Sequence, residues 1–284
     1  MYPITIIILG MEQTDLHTRP APSLGRWGLV LTAALLLVGW LLNTPPGLLG
    51  KADAVGYAVC HRIDARSFHI GDRPMPLCVR CTGMYLGAML ALIYQAILAP
   101  RRGQLPSLRA WIPLGLLVVA FAVDGANSYA HLIPALNLPS LYEPQHWLRL
   151  LTGTGMGLVM LIALYPVFNQ TVWRNWIDRP ALTGWRSWAG LFGLALALSL
   201  LVLTENPLVL YPLAYLTAGA VLVILSMTYG ILWLMIFKRE NRFTRPVQLV
   251  WPLLAGFATA MVQIIGLDIV RYLLTGTWSG ISLG

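Results

Sequence analysis

Charged residues are scarce in this chain: they fill 11% of its 284 positions while hydrophobic residues fill 57%, against roughly a quarter charged in an ordinary soluble domain. A mean hydropathy of +0.70 points the same way. Together these exclude a soluble globule. Gly/Ser linkers, low-complexity tracts and internal repeats are absent, which leaves one membrane domain as the simplest partition. The chain also has no Walker-type glycine loop, no Ser-His-Asp arrangement and no His-Glu-x-x-His helix. That argues against an ATPase, a serine hydrolase or a zincin-type protease. A net charge of +8 does not imply nucleic acid, because the basic residues fall in short clusters between apolar runs, where they set membrane topology. Residues 1–23 form an N-terminal tail. Its stretch Met1–Gly10 lacks the basic start of a secretory signal, and we read translation as starting at Met11, the alternative being an apolar arm lying against the membrane.

Charge-poor apolar runs occupy residues 24–42, 83–99, 111–126, 147–168, 186–204, 207–237 and 247–275, each near the ~20 residues needed to cross the hydrocarbon core. The expected fold is therefore all-α, a polytopic transmembrane bundle of about seven helices. Pro113, Pro212 and Pro252 are placed in first turns, where a missing N–H costs least, and Pro166 near a helix end. Basic residues cluster at Arg19 and Arg26, at Arg101, Arg102 and Arg109, at Arg174, Arg179 and Arg186, and from Lys238 through Arg239 and Arg242 to Arg245. All four clusters fall on one side of the alternating spans, which places the N-terminus in the cytoplasm and the C-terminus outside. The segment 44–82 breaks this rule, carrying Lys51, Arg62, Arg66, Arg73 and Arg80 against Asp53, Asp64 and Asp72 on the external side. Those arginines are expected to bind something or to pair with acids inside the fold.

All three cysteines, Cys60, Cys78 and Cys81, lie in this segment, with His61 and His69 beside them. One chemistry that suits the set is a metal site. Zn²⁺ or iron prefers thiolate and imidazole, and a Cys-x-x-Cys spacing lets both sulfurs reach one ion. Cys60, Cys78 and Cys81 would be ligands with His69 as fourth, since adjacent side chains such as Cys60 and His61 diverge; His61 stays as the other option. The second chemistry is thiol–disulfide exchange. A Cys-x-x-Cys pair at a helix start beside Arg80 has a lowered thiol pKa, with Cys60 as the exchanging thiol and a quinone as electron acceptor. The inert alternative is three cysteines absorbed as small hydrophobes or structural disulfides.

Further along, Asp124, Glu143, His146 and Arg149 come to the same level of the membrane, and Asp268 and Arg271 to a similar depth. Ionisable groups in a membrane usually face one another or a water-filled path, so a shared pocket is expected, with structural ion pairs as the plainer reading. His131 and His146 read as hydrogen-bonded loop residues, and Asn127 as a hydrogen-bonding residue at the helix end. Gly153, Gly155 and Gly157 read as a small face for close helix packing. Trp147, Trp173, Trp176, Trp185 and Trp188 flank the apolar runs as interfacial anchors.

The stretch Cys60-His61-Arg62, then Arg66-Ser67-Phe68, then Pro76-Leu77-Cys78-Val79-Arg80-Cys81-Thr82-Gly83 resembles the signature of the domain of unknown function 2085 family, predicted prokaryotic membrane proteins. Asp124-Gly125 and Arg149-Leu150-Leu151-Thr152-Gly153 are similar to that family's downstream pattern. The resemblance implies a multi-pass helical protein of the prokaryotic cell membrane and brings no reaction with it. It covers about residues 40–165, so residues 24–168 are read as the family-like core with an external Cys/His loop at 44–82, and residues 169–284 as three added C-terminal helices.

The leading expectation is a Zn or Fe site in the external loop beside an arginine- and acid-lined pocket. In it Arg62, Arg66 and Arg80 balance charge or hold an anion, and Asp124 and Arg149 are auxiliaries to any chemistry. The thiol oxidoreductase is one rival. A transporter whose intramembrane charges form the path, with the cysteines stapling a lid, is another. The expected partners are the lipid bilayer and a small ligand or protein.

Overall fold

A computed structural model describes residues 23–132 and 140–279; Met1–Gly10, the Met11 start and Arg19 lie outside them. The helices are α1 (Ser23–Asn43), α2 (Gly47–Val59), α3 (Val79–Leu98), α4 (Leu108–Leu132), α5 (His146–Val172), α6 (Gly184–Leu203), α7 (Pro207–Ile236) and α8 (Val250–Thr275). All but α2 are long and apolar enough to cross a membrane. Leucines along their outer faces, such as Leu31, Leu116, Leu200 and Leu273, are exposed, the arrangement expected where the surrounding solvent is hydrocarbon. The chain is a multi-pass membrane protein.

Helix α4 differs most from its expected span. It runs on to Leu132, so Asp124 sits two turns inside the helix rather than near its end. Pro113 and Pro212 lie in the second turns of α4 and α7, because those helices begin at Leu108 and Pro207. Helix α2 was not foreseen. Its 13 residues are too few to span, and they bury Asp53 through Tyr57 against α7 and α8.

The closest packing joins α3 to α5, and glycines cause it. A Cβ on Gly83 or Gly87 would lie 2.4 Å from the carbonyl oxygens of Leu150 and Thr154, and one on Gly153 or Gly157 would lie 2.2 or 2.0 Å from those of Arg80 and Met84. Each helix thus carries two glycines four residues apart, the spacing that lets membrane helices approach backbone to backbone. Gly155 belongs to another face. Two residues along a helix is about 200° around it, and Gly155 meets the Leu117 side chain of α4 at 3.1 Å. Across the same α3–α5 seam Gln95 Nε2 donates to the Leu161 carbonyl at 3.1 Å.

Successive spans run antiparallel, which separates two ends. At one, Arg101 stacks on Trp173 at 4.6 Å, and Tyr165 and Asn169 hold the backbone of Ala99 and Arg102. Trp173 is buried there, its indole donating to Asn169. That corrects its reading as a lipid anchor, a reading that the exposed Trp147 and Trp185 fit. The other end holds the cysteines.

Replacing Gly157 by alanine should lower thermal stability in detergent by about 1–3 kcal/mol, the ordinary cost of overpacking. Gly155→Ala, which presses only on the movable tip of Leu117, should cost well under half as much in the same melting experiment.

Candidate functional site

Two helix ends deliver the three thiols. Cys60 ends α2, Cys78 is the residue before the first turn of α3, and Cys81 lies within that turn. Gly56 allows the approach: a Cβ there would lie 1.9 Å from the Pro76 carbonyl oxygen, so the last turn of α2 rests on the chain leading into Cys78. The three Sγ atoms lie within 4.8 Å of one another. All three are free thiols, Cys60 buried and the others half-buried.

The sulfur of Cys60 also accepts backbone N–H groups, from Cys78 at 3.3 Å and from Arg62 at 3.5 Å. Arg62 turns its N–H inward through a left-handed backbone, φ 52°, which a non-glycine residue adopts only when its surroundings hold it there. They do: Arg62 is buried and pairs with Asp53 at 3.0 Å, and Arg73 pairs with the same carboxylate.

Three sulfurs this close share protons unequally. The hydrogen bond with Cys78, with burial adding to it, pushes the Cys60 thiol up to about 11. Hydrogen bonds from Cys60 and Cys81, assisted by the Arg80 charge, hold Cys78 well below the ordinary thiol value. Deprotonating all three sulfurs at once would place three negative charges side by side, which a cation among them would relieve.

The Cys-x-Arg-Cys turn is fixed by the arginine between its cysteines. Arg80 Nε donates to Asp124 Oδ2 at 3.0 Å and Nη2 to the same oxygen, to the Asp124 carbonyl at 2.9 Å and to Ser128 Oγ at 2.9 Å. Asp124 is 1% exposed. Its other oxygen accepts from the Tyr142 phenol at 2.9 Å, and Thr152 Oγ1 lies 3.3 Å from Oδ2. Burial and the bond to Asp124 push the Tyr142 phenol up to about 12, so it stays a donor. Asn127 presents Tyr142 by taking the backbone N–H groups of Leu141 and Tyr142 and giving its amide to the Tyr142 carbonyl.

Two further guanidinium groups crowd this acid. Arg149 Nε donates to Ser128 Oγ at 3.3 Å, and Arg66 donates to the Ser128 carbonyl. Burial and the Arg80 charge pull Arg66 below its ordinary value. Three cations around one carboxylate leave a surplus of positive charge.

The structure thus brings together Cys60, Cys78 and Cys81, and separately Arg66, Arg80, Asp124 and Arg149. The described histidines stand apart. His69 hydrogen-bonds Asp64 at 3.1 Å, because β1 (His69–Ile70), paired with β2 (Arg73–Pro74), turns it away. His61 lies against Tyr129 at 3.3 Å, diverging from Cys60 as neighbours do. His146 faces the Ala65 carbonyl and the Phe68 ring, and His131 is helical. Asp268 and Arg271 do not join Asp124. Asp268 accepts from Trp40 Nε1 at 3.0 Å, whereas Arg271 clamps the Tyr57, Cys60 and His61 carbonyls, the last at 2.8 Å. That clamp caps the end of α2 with a cation. Sequence reasoning missed it, along with Tyr142 and Ser128, since neither spacing nor composition pairs residues so distant along the chain.

Fold and site together define a polytopic helical membrane protein with a three-thiol cluster at one end of its bundle. Residues 60–163 match a family described as "Predicted membrane protein (DUF2085)". Over 105 residues the chain is 31% identical to an uncharacterized protein of Methanothermobacter thermautotrophicus, covering 36% of this chain and 83% of that protein. Over 123 residues it is 28% identical to an uncharacterized protein of Methanocaldococcus jannaschii, covering 43% and 71%. The chain belongs to this family of predicted membrane proteins. No solved structure matches it.

Replacing Asp124 by asparagine leaves Arg66, Arg80 and Arg149 without their counter-charge. Unfolding in detergent should be easier by about 3–5 kcal/mol, as when one partner of a buried ion pair is removed, and alkylation of Cys81 should speed up as its turn loosens.

Proposed function

We propose that Cys60, Cys78 and Cys81 bind one transition-metal ion, Zn²⁺ or iron, and that the arginine surplus beside it holds an anionic ligand. The convergence of three sulfurs within 4.8 Å carries this reading. Around a tetrahedral ion with Zn–S near 2.3 Å, sulfurs sit about 3.8 Å apart, so a small contraction would close the site. A metal would supply a positive charge that lets all three thiols ionise.

With neither histidine among the sulfurs, the fourth position would fall to a water or an exogenous ligand, as in metal sites that do chemistry rather than only staple a fold. Arg66 and Arg149 are the better candidates for anion contact, since Arg62 is committed to Asp53 and Arg80 to Asp124. The basic clusters at the opposite end of the bundle favour the cytoplasm there, which would set the cysteines on the external face.

The low pKa of Cys78 also suits thiol–disulfide exchange with Cys81. The two readings differ in one count. A metal site gains alkylatable thiols after chelation, whereas a redox pair gains them after reduction.

Elemental analysis of protein purified without chelators should find about one zinc or iron per chain, lost in a Cys78→Ser, Cys81→Ser variant. No metal in the wild type would overturn the assignment.

A further inference from the structure

Between α1 and α8, at the end of the bundle that also holds the cysteines but lined by none of them, lies a cavity of about 550 Å³, within the size of small-molecule sites. Leu36 and Ile265 form part of its apolar wall, Trp40, Tyr272 and Trp278 supply three aromatic rings, and Asp268 supplies the one acid. Asp268 is 3% exposed. One of its oxygens accepts from Trp40 Nε1 at 3.0 Å, and the other is buried with no partner among the described residues. Among the described residues no basic side chain lines the cavity. Arg271, one turn further along α8, turns its guanidinium onto the Tyr57 ring at 4.0 Å and onto the carbonyls ending α2.

A buried carboxyl with an unused oxygen is costly unless a partner completes it. Aromatic rings with a carboxylate are the recognition chemistry of organic ammonium, whose charge is held by ring faces and too diffuse to need water. The cavity lies between two spans whose outer faces are apolar, Leu35 and Leu273 being exposed at its edge, so a ligand would enter from the hydrocarbon. We propose that this pocket binds the ammonium head of an amphiphile, with Asp268 as counter-ion and Trp40, Tyr272 and Trp278 as the cage. The same chemistry belongs to a lipophilic ammonium compound and to a choline lipid headgroup. The pocket lies outside residues 60–163, so the proposal concerns the helices beyond the family match and stands apart from the metal reading.

The test is equilibrium binding of radiolabelled dodecyltrimethylammonium, below its micellar concentration, to the full chain in phosphatidylglycerol nanodiscs. Binding should saturate at about one site per chain, and Asp268→Asn should weaken it at least about tenfold. Tyr272→Leu, at a half-exposed ring without a side-chain hydrogen bond among the described residues, should weaken it about threefold or more while sparing the fold. The uncharged 3,3-dimethylbutyl analogue should fail to compete. If phosphatidylcholine in the disc displaces the probe, the occupant is a lipid headgroup; if it does not, the occupant is a free lipophilic ammonium. Non-saturable binding, equal competition by the neutral analogue, or unchanged affinity in both variants would overturn the proposal.

Discussion

The buried pair of Arg80 and Asp124 is the constraint on which the rest of the site depends. Arg80 stands between two cysteines in the first turn of α3, so whatever fixes its side chain fixes the direction in which both sulfurs point. Asp124 reaches it from inside α4, where the acid is tolerable only because Arg80, Tyr142 and Thr152 surround its oxygens. Behind Arg80 the backbone of α5 must come within contact of its carbonyl, and Gly153 allows that. The second sequence block, Asp124-Gly125 with Arg149 through Gly153, is therefore the seat of the Cys-x-Arg-Cys turn rather than a separate feature.

Cys60 reaches the same point by a different route. Helix α2 is held by Gly56 against Pro76, by Asp53 through Arg62 and Arg73, and by Arg271 at its carbonyl end. The last of these comes from α8, beyond residues 60–163. In this chain the C-terminal helices thus support the cluster as well as enclosing the bundle.

Much of this was legible in the sequence. Seven apolar runs gave seven spans because length and lack of charge are the whole requirement for crossing a bilayer. The excess of arginine in segment 44–82, expected either to bind something or to pair with acids, forms acid pairs at Arg62, Arg73 and Arg80. Helix α2 was not legible: with Lys51 and Asp53 inside it and only 13 residues, it reads as loop, and burial among α7 and α8 makes it a helix. Gly155 looked like part of one small face because spacing alone does not show which side of a helix each neighbour occupies. Asp124 and Asp268, expected to share a pocket, have separate partners, since equal depth in a membrane says nothing about position around the bundle. The same gap hid the distance of His61 and His69 from the sulfurs.

The central claim is that three thiolates and no imidazole hold a metal at the start of α3. X-ray absorption at the metal edge of the purified protein tests it most directly. The account predicts three sulfur scatterers at about 2.3 Å with one light atom, and none of the outer-shell scattering of a histidine ring. Two sulfurs with a clear imidazole pattern would contradict it.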